Sequence, residues 1–239
     1  MIEFYKKRGE TPLEALNRLR EENPELKNET LSYAGRLDPM AEGILLVLVG
    51  QVENQERAFF LQKDKEYKVE FLLGVSTDTG DVLGIVVNSN AMEVSDSDIQ
   101  SVCKNFIEIK EQTYPWFSSK TVNGIPLFVY AQKKDFSVER PIRDIKISEV
   151  KDIEFRIIET SKVVRGIQTD ISKVSGDFRQ EESILSWSNA PQQMNKVSKV
   201  VSCTISVSSG TYIRSLTEHF LKDTGVPATV LRLERTRVY

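Results

Sequence analysis

His219 is the only histidine in the chain, and Cys103 and Cys203 have no metal-ligand spacing. A zinc site or a Ser/His triad therefore has almost nothing to be built from. Asp38-Pro39 stands in YAGRLDPMAEG, directly ahead of the apolar run ILLVLV, so one carboxylate is set at the start of what reads as a buried strand. Taken alone, an Asp-Pro pair is an ordinary turn dipeptide. Two basic clusters, Lys6, Lys7, Arg8 and Arg232, Arg235, Arg237, have the charge to line a phosphate-binding cleft, and could equally be solvated ends. The formal net charge of -3 and the pI near 5.5 give no overall basic footprint for nucleic acid. Net charge, however, constrains the surface average and not one groove.

The elements that must position these residues follow from capping and periodicity. Thr11-Pro12-Leu13-Glu14 combines an N-cap threonine, proline at the first helical position and a glutamate three residues on, which predicts a helix with Leu13, Leu16 and Leu19 as its apolar stripe, ended at Asn23-Pro24. Tyr67, Val69, Phe71 and Leu73 alternate like a strand, TDTGD is a turn and VLGIVV a second strand, together a β-hairpin with a long turn. Ile99, Val102, Cys103, Phe106 and Ile107 have amphipathic helical spacing, which makes Cys103 core. QTYPWFSSKTVNGIPLFVYAQKK, with its Asn123-Gly124 turn signal, suits an ordered loop. Ile145 and Ile147, then Ile153, Phe155 and Ile157, and Val201, Cys203, Ile205 and Val207 read as strands. Between them Val163, Val164, Ile167, Ile171 and Val174, a second capping-box pattern at Asp177 to Gln180, and Ile184, Leu185 and Trp187 predict an inserted helical hairpin. A last helix buries Ile213, Leu216 and Phe220 and stops near Gly225.

With 239 residues and 40% hydrophobic content, one domain spanning 1–239 is expected. No apolar run reaches the eighteen or so residues of a membrane span, and MIEFYKKRGE has no secretory apolar core, so a cytoplasmic protein without a membrane partner is expected.

Several of these segments, in order, resemble the B-type tRNA pseudouridine synthases. YAGRLDPMAEG is similar to that family's aspartate motif, Gly-x-Leu-Asp-Pro-x-Ala-x-Gly, at Gly35, Leu37, Asp38, Pro39, Ala41 and Gly43. KKRGETP resembles its N-terminal segment at Lys6, Gly9 and Thr11. KEYKVEFLLGVSTDTGDVLG resembles its Lys-x-Tyr strand and following turn, at Lys65, Tyr67, Gly74, Asp78, Gly80 and Asp81. YPWFSSKTVNGIPLFVYA looks like an RNA-gripping thumb, with Lys120 and Tyr130 in register, SSGTYIRSL reproduces Gly-Thr-Tyr-Ile-Arg, and LERTRV resembles the terminal segment.

The resemblance implies an α+β pseudouridine synthase fold, a mixed, largely antiparallel sheet flanked by helices with a catalytic cleft. The thumb-like segment falls at about 112–140 and the helical insertion at about 162–190, and no C-terminal PUA domain is expected. It implies isomerisation of uridine 55 in the T loop of tRNA without cofactor or metal, by a monomer whose partner is the T-arm stem-loop. Asp38 is carried over as nucleophile or base, through attack at either the sugar C1′ or the base C6. Arg214 is its two-point guanidinium partner, and Tyr67 stacks on the flipped uracil and assists removal of the C5 proton. Tyr33, Arg36, Lys65, Lys120, Tyr212 and Leu233 are the remaining substrate-binding candidates.

Five residues depart from the family pattern: Lys7 and Pro12 stand for a proline and a serine in the N-terminal segment, Tyr33 replaces a histidine, Arg36 a small residue, and Glu234 an arginine, the last removing a phosphate contact. The string Arg36-Leu37-Asp38 also occurs in other branches of the superfamily, which keeps a ribosomal or messenger RNA target open. The acidic pI and the Tyr33 and Glu234 changes suit another reading, a non-catalytic RNA chaperone or binding module on the same fold, against which the intact Asp38, Tyr67 and Arg214 set speaks. For the insertion, the expectation is a hairpin that covers the sheet; the alternative is an RNA contact through Lys162, Arg165, Lys173 and Arg179.

Overall fold

A computed structural model describes residues 1–91 and 93–239. In chain order the strands are β1 (Ile2–Lys6), β2 (Leu31–Ala34), β3 (Ala41–Val49), β4 (Lys65–Leu73), β5 (Val75–Thr77), β6 (Val86–Ser89) and β7 (Glu111–Thr113). They continue with β8 (Thr121–Val122), β9 (Ile125–Pro126), β10 (Ile142–Asp144), β11 (Ile147–Glu159), β12 (Val197–Val207) and β13 (Ala228–Val238). The helices are α1 (Pro12–Glu22), α2 (Gly50–Gln55), α3 (Arg57–Leu61), α4 (Asp96–Asn105), α5 (Leu127–Gln132), α6 (Thr160–Ile171), α7 (Gln180–Asn189) and α8 (Thr217–Thr224). No helix of the described residues is long and apolar enough to cross a membrane.

Seven strands form the main sheet in the order β1-β3-β13-β4-β12-β11, with β2 also on β3. Only β13 and β3 run parallel; the other pairs in this sheet are antiparallel. Strand periodicity sends alternate residues to opposite faces. On β4, Tyr67, Val69 and Phe71 join Ile99, Cys103 and Phe220 beneath α4 and α8, where the Phe71, Phe106 and Phe220 rings lie 5.0–6.1 Å apart. On the other face Leu72 and Val200 pack against Val163, Val164, Ile167 and Ile171 of α6 and the fully buried Trp187 of α7. The inserted hairpin thus covers the sheet and adds core, as its amphipathic spacing predicts. Both cysteines are buried core.

The first helix forms as predicted: Thr11 Oγ1 accepts from the Glu14 amide at 3.2 Å, and Glu14 Oε2 accepts from the Thr11 amide at 2.7 Å. Its stripe is Pro12, Ala15, Leu16 and Leu19, while Leu13 is 62% exposed, because a repeat of three lags the 3.6-residue turn and carries residue 13 off the buried face. Ile107 and Leu185 are likewise exposed.

Two other expectations need correction. β4 is not half of a hairpin: it lies between β13 and β12, and the local hairpin is β5 with β6, leaving Val82 and Leu83 buried in the turn. Alternation identifies a strand but not its neighbours. At the start of α7 no capping box forms. Asp177 Oδ1 accepts from the Arg179 amide two residues on, at 3.3 Å, and Arg179 takes a left-handed conformation, φ 60°. The side chain of Gln180 then turns back to Val174 O and Gly176 O instead of closing the box. The Asn123-Gly124 turn does form, between β8 and β9, with both residues at positive φ.

Candidate active site

Asp38 sits in the loop 35–40 that joins β2 to β3, and the loop is shaped by basic residues working on its carbonyls. The Lys6 ammonium is fully buried and donates to Pro39 O at 3.2 Å, Ala41 O at 2.5 Å and Lys7 O at 3.1 Å. Arg8 Nη1 reaches Met40 O at 3.3 Å, and Arg235 donates to Ile44 O at 2.6 Å and Gly35 O at 3.0 Å. The two basic clusters of the sequence are therefore neither solvated ends nor free phosphate ligands at these positions: Lys6, Arg8 and Arg235 are internal braces. Burial pushes the Lys6 pKa down to about 8, against the pull of Glu10 and Asp38. Gly43 lets β3 close on β13. It has φ 106°, and a Cβ there would stand 2.3 Å from Arg235 O.

Arg214 arrives from the far end of the chain on the 3₁₀ turn Ile213–Leu216. Its side chain is 4% exposed, while that of Asp38 is 34% exposed. Nε donates to Asp38 Oδ2 at 2.7 Å, Nη2 to Phe117 O at 3.1 Å, and Nη1 to Thr79 O. The expected pairing with Asp38 is present, but through one nitrogen, not two, because the other two nitrogens hold backbone carbonyls of two separate segments. Asp81, buried on the turn that follows β5, lies 3.6 Å from the same Nε. Burial works against the Arg214 charge, but Asp38 and Asp81 outweigh it and raise its pKa. Burial raises the Asp81 carboxyl, with the neighbouring Asp38 adding to the rise and Arg214, Thr79 and the Leu83 amide opposing it. One guanidinium thus faces two carboxylates, one open to solvent and one enclosed.

Around this centre opens a cleft of about 1000 Å³. Tyr67 and Lys65 enter it from one face of β4, Leu233 from β13, and Tyr212 from the loop before the 3₁₀ turn. A two-point amide bridge to Gln112, at 3.0 and 3.2 Å, holds the Tyr212 backbone. Its phenol pKa is raised by burial and by Asp38. Lys65 Nζ donates to Leu61 O at 2.9 Å and to Lys63 O, and burial with the nearby Arg235 lowers its pKa to about 8. Arg36 lines the rim and donates to Ser119 Oγ at 3.1 Å.

Two candidates are not brought to the cleft lining. Tyr33 packs beside the α1 cluster of Leu16, Leu19 and Val47, because its place on β2 turns it to that side of the sheet. Lys120 lies beyond the rim, 5.2 Å from the Tyr114 ring centre. Glu234 accepts from the Tyr5 hydroxyl at 3.2 Å. Of the basic residues proposed on the insertion, Lys173 pairs with Asp170 at 3.0 Å and Arg179 with Asp78 at 2.7 Å. Sequence reasoning gave no role to Asp81, although the turn that carries it was in view, nor to the Phe117 carbonyl, which no side-chain pattern marks.

The mixed sheet flanked by helices, with a cleft at the aspartate that stands ahead of one strand, defines an α+β protein of pseudouridine synthase fold. The chain aligns over 99% of its length with 48% of a chain in the crystal structure of a Cbf5-Nop10-Gar1 complex, at TM-score 0.57 and 20% identity, a likeness of fold. Residues 24–177 match the family model for the TruB family pseudouridylate synthase N-terminal domain, and the chain belongs to that family. A "tRNA pseudouridine synthase B" of Fusobacterium nucleatum is 29% identical over 238 residues, covering all of this chain and 67% of that protein. Its namesakes in Blochmanniella pennsylvanica and Staphylococcus haemolyticus are 34% identical over 154 residues and 31% over 192, with 58% and 61% of their lengths covered. The chain therefore spans about three fifths to two thirds of the length of these curated relatives.

Proposed function

We propose that the protein is a tRNA pseudouridine-55 synthase, acting as a cytoplasmic monomer on the uridine of the T loop. The observation that carries the reading is the Asp38–Arg214 pair at the foot of the cleft. Arg214 engages Oδ2, and among the described residues no hydrogen bond engages Oδ1, so one carboxylate oxygen is held and the other is available to the substrate. The guanidinium fixes the direction of the carboxylate, the group that can act as nucleophile or base.

A uridine inside folded RNA must leave its stack before its glycosidic bond can be reached, and the cleft has the volume for an extruded nucleotide. Tyr67 offers a stacking face, with Tyr212 and Leu233 as the pocket walls. Asp38 attacks C1′ or C6, the C1′–N1 bond breaks, the base turns and C5 joins C1′, and the bond from Asp38 to the substrate breaks to free the carboxylate. N1 gains a proton and C5 gives one up, and Tyr67, which lines the same cleft, is the residue assigned to assist that transfer. Atoms and charge balance with no outside reactant.

The test is single-nucleotide mapping of pseudouridine in an unmodified tRNA transcript incubated with the protein. Conversion at position 55 of the T loop is expected. Conversion confined to ribosomal or messenger RNA would move the substrate and keep the chemistry, and no conversion in any RNA would overturn the reading.

A further inference from the structure

We propose that Arg179, at the tip of the α6–α7 hairpin, is a positioning residue that latches the cleft by gripping both segments on which the Arg214 guanidinium rests. This rests on the reading of Asp38 and Arg214 as catalytic.

The hairpin is not only a cover for the sheet, because its connecting loop reaches the cleft and lines it with Asp177, Phe178 and Arg179. That loop is tied down at several points. Gln180 Nε2 donates to Val174 O at 2.9 Å and Gly176 O at 2.6 Å, and its Oε1 accepts from the Phe178 amide at 2.9 Å. Arg179 itself holds φ 60°, a left-handed conformation uncommon for any residue but glycine. The guanidinium is thus presented from a loop held at several points.

What it grips is specific. Nη1 and Nη2 donate to the two oxygens of Asp78, at 2.7 and 3.3 Å, and the guanidinium carbon lies 4.2 Å over the centre of the Phe117 ring. Asp78 precedes Thr79, whose carbonyl accepts from Arg214 Nη1, and Phe117 supplies the carbonyl for Arg214 Nη2. Both anchors of the Arg214 fork are therefore clamped by one side chain from a third segment. A planar guanidinium can meet a carboxylate at two points while lying flat on an aromatic ring, and a lysine can do neither in the same way. The latch acts on Asp38 through Arg214 without touching the substrate.

A phosphate contact, a fold-stabilising contact and a latch make different demands on the measurements. Arg179→Gly removes the side chain and relieves the left-handed backbone, which keeps misfolding out of the result. Single-turnover tritium release from a C5-tritiated T-arm stem-loop should fall about tenfold or more at saturating RNA, with Kd unchanged within about threefold. Arg179→Lys should restore little of the rate. A second readout does not depend on pseudouridine formation: Trp116 adjoins Phe117, while Trp187 is fully buried, so acrylamide quenching reports Trp116. Quenching should increase in Arg179→Gly and in Asp78→Asn, and the double variant should be no worse than either single. A normal rate at saturation, a loss lying wholly in Kd, or unchanged quenching would overturn the latch. If the wild-type protein converts no RNA, the catalytic reading fails by itself, and the latch with it as a positioning device, while quenching then judges only the clamp on Phe117.

Discussion

Arg214 has three directions to satisfy at once: Asp38, Thr79 O and Phe117 O each take one nitrogen. Lysine keeps the charge and loses the planar fork, so it can orient at most part of this set. Arg214→Lys should therefore slow single-turnover pseudouridine formation by about a hundredfold or more, and a near wild-type rate would remove Arg214 from its role. Lys6 gives a pH signature. Its folded pKa of about 8 lies below the ordinary 10.5, so between these values the unfolded chain holds a proton that the folded chain has released, and stability rises with pH. The cost of burying the charge is fully present below pH 8 and is relieved as pH approaches 10.5. Relative to Lys6→Met, the wild type should gain up to roughly 3 kcal/mol across that window. Urea unfolding of both proteins at pH 7.5 and 9.5 measures it, and a constant difference would contradict it.

The loop that bears Asp38 depends on the closeness of β3 and β13. A methyl at Gly43 would meet Arg235 O at 2.3 Å, on a backbone at φ 106°, so Gly43→Ala should destabilise by roughly 2–4 kcal/mol through strain and forced separation of the strands. Thermal unfolding tests it, and a loss below about 0.5 kcal/mol, the ordinary range for a harmless substitution, would contradict it. What was legible in the sequence divides at this level. Contacts closed within a few residues could be read directly, such as the Thr11–Glu14 box and the Asn123-Gly124 turn, and so could the burial of Phe71 or Trp187 from periodicity. The Asp38–Arg214 pair came from resemblance to a family, since no local rule joins residues so far apart. The seat of β4 between β12 and β13, the enclosure of Asp81 and the reach of Arg179 to Asp78 were not legible, because each depends on which distant segments meet. The false capping box at Asp177 shows the opposite limit: one left-handed residue overrides an otherwise good local pattern.

Over the whole molecule, the cleft is electrostatically mixed. Arg36, Lys65, Arg143, Arg179, Arg214 and Arg235 line it together with Asp38, Asp64, Asp81, Asp144 and Asp177, and most of the cations already have internal partners. Recognition of RNA should then rest on shape and a local set of contacts, and a T-arm hairpin should supply nearly all of them. Its kcat/KM should lie within about tenfold of full tRNA at the same salt, a difference below roughly 1.4 kcal/mol. A loss of a hundredfold would show that distant RNA is read, and would direct attention to Lys162 and Arg165 on α6, whose replacement by glutamine should then flatten the salt dependence by about one per lost phosphate contact. The assignment of Asp38 as the reacting carboxylate, on which all of this depends, is tested most directly by single-turnover tritium release with Asp38→Asn alongside a direct measurement of RNA affinity. The nearly isosteric amide leaves phosphate contacts in place, so Kd should stay within a few fold while the rate falls below about a hundredth of wild type. A rate above that level with normal binding would contradict catalysis by Asp38.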